Sequence, residues 1–124
     1  MGDRGPYDMD MVYKDNLNHI VAEQVKFHKS LGRTIILMSG RDESCRNQTE
    51  EWLQDLYGVR FDHLYMRKED DYRKDTIVKK EIYDNQIKGK FNVLAAYDDR
   101  ISVCKQWAQM DIFTFTVNQG LIEF

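Results

Sequence analysis

With 124 residues, 42% of them hydrophobic and 31% charged, the chain has the composition of one ordinary globular domain rather than a disordered segment. Its formal net charge of −3 argues against a non-specific nucleic-acid binder, although an enzyme acting on one end of a strand needs only a few arginines. No apolar run approaches the roughly 20 residues that span a bilayer, and the start Met1-Gly2-Asp3-Arg4-Gly5-Pro6 is not that of a signal peptide, so no membrane partner is expected.

In chain order, Leu17, Ile20, Val21, Val25 and Leu31 predict a helix over 16–31 with these residues as its apolar stripe. Asp15 is its expected N-cap and Gly32 its stop. Residues 34–38, with Ile35 and Ile36 adjacent, predict a strand buried on both faces, followed by Ser39-Gly40-Arg41. A polar loop leads to a helix through Trp52, Leu53, Leu56 and Tyr57, closed by Gly58. A second strand is expected over 61–66, and a helix over 73–87 that buries Ile77, Val78 and Ile82 with Lys79 and Lys80 facing out. The clearest strand is 93–97, followed by Asp98-Asp99-Arg100. A helix over 101–110 burying Val103 and Trp107 and a last strand over 112–117 complete the pattern. Cys45 and Cys104 fall in predicted helices without metal-ligand spacing, and read as reduced thiols of a cytosolic protein.

Helix and strand alternate throughout, which predicts an α/β class with a mostly parallel sheet and helices on both faces. Ligands of such sheets bind outside the carboxyl ends of the strands. Ser39 and Asp98 each sit one residue past a predicted strand end. Two adjacent carboxylates at such a place fit either a magnesium site, completed by water and phosphate oxygens, or a charged turn with Asp99 capping the next helix. Ser39-Gly40-Arg41 offers a hydroxyl, close backbone approach and a guanidinium to an oxyanion, or is an ordinary strand-to-loop turn. Lys74 offers a fixed charge for a phosphoryl oxygen, within a stretch whose other charges read as solvated surface. Asp71 can pair with Arg73 or Lys74, or touch substrate. The order hydroxyl, lysine, carboxylate pair favours the metal reading. His19, His28 and His63 are scattered and carry no catalytic pattern, and Tyr65, Tyr72 and Trp107 read as packing.

Four pieces in order carry a resemblance: Arg4-Gly5-Pro6-Tyr7-Asp8, Ser39-Gly40-Arg41, Asp71-Tyr72-Arg73-Lys74-Asp75 with Lys79-Lys80-Glu81-Ile82, and Asp98-Asp99-Arg100. The chain resembles, over essentially its whole length, the phosphatase domain of phage-type polynucleotide kinase-phosphatases of the haloacid dehalogenase-like superfamily. The resemblance implies removal of a terminal 3′-phosphate from a nucleic-acid strand through a phospho-aspartate, with magnesium as cofactor. It implies that Ser39 hydrogen-bonds the phosphoryl group, Lys74 stabilises its charge, and Asp98 and Asp99 hold magnesium, with Asp99 as the direct ligand. Arg4, Arg41 and Asp71 would line the substrate mouth. A kinase domain is an implied neighbour, and phage or bacterial cytosol the implied location.

The family's Asp-x-Asp-Gly-Thr motif, which carries the nucleophile, does not occur in these 124 residues; Asp3, Asp8 and Asp10 lack its setting. The expectation is therefore a single domain over 1–124, truncated at its N-terminus, lacking the central strand and turning over little or not at all alone. That predicts a longer natural protein, a strand borrowed from another chain, or a split enzyme. The rival expectation is a non-catalytic descendant whose pocket binds phosphate or a partner protein.

Overall fold

A computed structural model describes residues 12–117, and within it the chain forms two compact units, one ending at Asp71 and one beginning at Tyr72. The first unit opens with helix α1 (Val12–Ser30). It starts a turn earlier than expected, so Asp15 lies inside the helix and does not cap it. Gly32 is the stop: at φ 78° it lets its own N–H reach the Lys29 carbonyl at 2.9 Å and the Arg33 N–H reach that of His28 at 3.2 Å. The buried face differs from the expected stripe. Ala22 is buried with Tyr57 and Val59, and Val25, Leu37, Trp52 and Leu53 pack around them, whereas Ile20 and Leu31 are 59% and 53% exposed. A small residue faces two large rings here, so the rings supply the volume that the apolar spacing assigned to the helix.

Strand β1 (Ile36–Asp42) runs parallel to β2 (His63–Arg67). Its residues are half-buried apart from the exposed Gly40, and only Ile35 just before it is fully buried, so it is not covered on both faces as expected. Between the strands, a 3-10 turn (Glu43–Cys45) is capped by Asp42, whose carboxylate accepts the Ser44 N–H at 2.9 Å. Helix α2 (Arg46–Glu51) then widens into a π-turn (Trp52–Leu56) that ends at Gly58, φ 63°. Arg46 ties this helix to β2 by donating to the Leu64 carbonyl at 2.7 Å, while Glu43 and Glu50 hold its guanidinium at 2.7 and 3.1 Å.

The second unit begins with α3 (Asp75–Ile82), which also ends in a π-turn (Tyr83–Ile87). Strand β3 (Ala96–Asp98), helix α4 (Ile101–Gln109) and strand β4 (Thr114–Thr116) follow. β3 and β4 are parallel, with Tyr97 opposite Phe115. Of the expected 93–97 run only Ala96 and Tyr97 pair, joined by Asp98 beyond it, beginning where the Ala96 N–H meets the Phe113 carbonyl at 2.9 Å. Val103 and Trp107 are buried as expected, with the Tyr83 ring edge-on to Trp107 at 5.9 Å. Among the described residues no helix is long and apolar enough to cross a membrane.

A Cβ added at Gly32 would meet nothing within 4 Å, so only the left-handed backbone opposes substitution. Gly32→Ala is expected to lower the unfolding free energy by about 1–2 kcal/mol. A lowered urea midpoint at unchanged slope checks this, and an unmoved midpoint contradicts it.

Candidate active site

In the first unit the ladder runs in register from Ile36 opposite His63 to Ser39 opposite Met66, and then skips to Asp42 opposite Arg67. Ser39 is thus still inside β1 rather than past its end, and Gly40 and Arg41 are two extra residues bulged out of the pair. The Ser39 hydroxyl accepts the Arg41 N–H at 3.1 Å, and no described residue takes its own proton. The Arg41 guanidinium lies over the Trp52 ring, 4.6 Å from its centre. Asp71 is half-buried, and its carbonyl accepts from Arg67 at 2.9 Å. Arg4 and the rest of its motif lie outside the described residues.

In the second unit, Asp98 is the last residue of β3, not the residue after it. Its carboxylate takes the Lys79 ammonium at 2.8 Å on one oxygen and the Arg100 N–H at 3.1 Å on the other. Asp98, not Asp99, thereby fastens the turn into α4, whose N-cap position is Arg100. Lys79 also lies 3.4 Å from Asp75, and the Arg100 guanidinium 3.6 Å from the same carboxylate. Lys79 is 8% exposed, which corrects the expectation that it faces solvent. Burial alone would pull its pKa down, but the charges of Asp98 and Asp75 outweigh that and hold the ammonium above the ordinary lysine value.

Lys74 stands elsewhere. It is exposed at the N-cap of α3, where its carbonyl accepts from Ile77 and Val78 at 3.0 and 3.1 Å, and its ammonium pairs with no described carboxylate. The cation that reaches Asp98 is therefore Lys79. Its signal was in the sequence: positions 75, 78, 79 and 82 share one helical face, so Lys79 belongs to the stripe of Val78 and Ile82. Arg73 is held by Glu81 at 2.9 Å. Tyr72, expected to pack, is 88% exposed. The histidines sit against neighbours: His19 edge-on to Tyr57, His28 beside Arg33, and His63 stacked on Tyr65.

The donors fit magnesium in kind. Asp99 is exposed directly after β3 and offers the hard oxygens that this ion takes alongside water and phosphate. Asp98 is engaged on both oxygens, by the Lys79 ammonium and by the Arg100 N–H. Among the described residues no group of three or more His, Cys, Asp or Glu converges on one point.

Residues 1–122 match the family of polynucleotide kinase PNKP phosphatase domains. A putative bifunctional polynucleotide kinase/RNA ligase of Autographa californica nuclear polyhedrosis virus is 36% identical over 124 residues, covering 98% of this chain and 18% of its own. A chain from the structure of the Pnkp1/Rnl/Hen1 complex superposes with a TM-score of 0.83 at 38% identity, over 96% of this chain and 42% of its own. Another, from the Pnkp1/Rnl/Hen1 RNA repair complex, gives 0.76 at 40% identity over 81% and 32%. The chain thus spans under a fifth of the viral relative and less than half of either structural neighbour. The α/β, haloacid dehalogenase-like class expected from the sequence is the class of this fold.

Lys79→Met would leave the half-buried Asp98 carboxylate without its counter-charge and Asp75 with Arg100 in place of two cations, and is expected to cost about 3–5 kcal/mol of stability. Because folding raises the Lys79 pKa, its contribution is complete below the unfolded value of 10.5 and is lost as pH climbs through the higher folded value. Chemical unfolding from pH 7 to 11.5 or so should show that alkaline loss in the parent protein and not in Lys79→Met. Identical alkaline profiles would contradict the pairing.

Proposed function

We propose, because the chain belongs to the polynucleotide kinase phosphatase-domain family, that it is the phosphohydrolase part of a longer nucleic-acid end-repair protein and acts on 3′-phosphate ends. The observation that carries this reading is the buried Lys79–Asp98 pair at the carboxyl end of β3, with Asp99 exposed beside it, in a chain that matches that family over 1–122.

Asp99 would hold magnesium, which when bound neutralises phosphate oxygens and lowers the cost of charge at the leaving group. Ser39 would donate its hydroxyl proton to a phosphoryl oxygen. Arg41 adds a guanidinium, the cation best shaped for phosphate. Lys79 holds the Asp98 side chain in place, so the turn carrying Asp99 keeps its position. Lys74 would neutralise charge on the phosphoryl group, and Arg4 and Asp71 would contact the substrate strand. The free thiols Cys45 and Cys104 suit a cytosolic setting. By analogy with the relatives, a kinase domain and partner chains of an RNA repair assembly are the expected company.

The test is phosphate release from a 3′-phosphorylated oligonucleotide by the full-length natural protein with magnesium. Asp99→Asn is expected to lower kcat by about 10²-fold or more, as does removal of one preorganised charge contact at a phosphoryl centre. If the parent protein releases no phosphate yet binds the phosphorylated end, the domain is a binding module and the hydrolase reading falls.

A further inference from the structure

The bulge in β1 has a cost that one side chain offsets. A parallel pair seldom carries a bulge, and the two extra residues leave ladder groups without their partners. The Gly40 carbonyl is one such group, and Arg67 Nε donates to it at 3.0 Å. The same guanidinium donates through Nη1 to the Asp71 carbonyl at 2.9 Å. Next to that second anchor the backbone turns through Asp70 at φ 65°, a left-handed conformation uncommon outside glycine, and the Asp71 N–H closes the turn on the Lys68 carbonyl at 3.1 Å. One planar fork therefore fastens the segments at the carboxyl ends of both β1 and β2, where ligands of parallel sheets bind. Arg67 itself stands opposite Asp42, the residue at which the ladder resumes after the bulge.

We propose that Arg67 is a positioning residue: it sets the Gly40–Arg41 bulge, and through it the Ser39 hydroxyl and the Arg41 N–H, in the arrangement that phosphate binding needs. This rests on the phosphohydrolase reading for its catalytic consequence, but not for its geometry. Arg67 donates from two nitrogens of one guanidinium to two backbone carbonyls. A lysine has no rigid fork and cannot span two fixed carbonyls in the same way.

Two measurements on the full-length protein test it, using Arg67→Met and Arg67→Lys. Phosphate release from a 3′-phosphorylated oligonucleotide should fall by about 10²-fold in kcat for Arg67→Met with KM little changed, the signature of misplaced rather than missing binding groups. Arg67→Lys should fail to restore the parent rate. Amide exchange should accelerate at Arg41 by about tenfold, the scale of one lost hydrogen bond, while Leu37 and Met38 in the regular ladder stay protected. A general loss of stability would instead speed all three amides together, and that outcome overturns the proposal, as does an unchanged Arg41 rate. A parent protein without phosphatase activity removes the hydrolase reading alone, because the exchange comparison still decides whether Arg67 sets the bulge. Full activity in Arg67→Lys overturns the need for a fork.

Discussion

The ion pair between Lys79 and Asp98 is the interaction on which the second unit is organised. Lys79 comes from the second turn of α3 and Asp98 from the last position of β3, so the pair joins a helix to a strand that has only three paired residues. A strand that short has little ladder to hold it, and its end is fixed instead by charge, by the Arg100 N–H on the same carboxylate, and by the Val117 N–H on its carbonyl at 2.9 Å. Removing the ammonium from water is expensive, and a single carboxylate seldom compensates fully. Here Asp75, one helical turn earlier, adds a second negative charge, and Arg100 balances Asp75 in turn. The result is an alternating chain of charges, Arg100, Asp75, Lys79, Asp98, rather than an isolated pair.

The first unit solves a comparable problem with guanidinium donors to backbone carbonyls. Arg46 reaches the Leu64 carbonyl on β2, and Arg67 reaches the Gly40 carbonyl in the β1 bulge and the Asp71 carbonyl beyond β2. In each case a guanidinium stands where backbone acceptors have no ladder partner. Asp62 does the complementary work before β2: it accepts the Ile35 N–H at 2.7 Å and holds Lys29 at 2.8 Å, and these bonds keep its carboxyl below the ordinary value. Polar satisfaction at strand ends, more than hydrophobic pattern, is what shapes the places where Ser39 and Asp98 stand.

Much of this was legible in the residues. The alternation of elements, the parallel pairing, Gly32 as a stop, and Val103 and Trp107 as core all follow from periodicity and glycine placement. Other features escaped because they depend on partners. The face of α1 is set by the rings opposite Ala22, and apolar spacing within the helix holds no record of them. A bulge leaves no mark in local composition, so Ser39 was placed just outside a strand that in fact continues to Asp42. Lys79 was set in solvent because lysine usually is, although its position on the Val78 face pointed inward; a buried lysine needs acceptors, and those lie on other parts of the chain. The phosphate-neutralising role of Lys74 rests on the resemblance and on motif order, and that lysine is exposed at a helix start.

Cys104 takes its setting from the same turn. Its thiol donates to the Asp98 carbonyl at 3.2 Å, and burial, opposed by a bond with Thr116 but helped by the charges of Asp98 and Asp99, pushes its pKa up. A buried, protonated thiol is a poor nucleophile, so thiol reagents meet Cys104 only when α4 lifts from β3. Cys45 is half-buried in the first unit, with the Ser44 hydroxyl 3.9 Å from its sulfur. The chain thus contains its own pair of chemical reporters, one in each unit: the alkylation rate at Cys104 is a clock for the opening of the carboxylate turn, read against Cys45 in the same molecule.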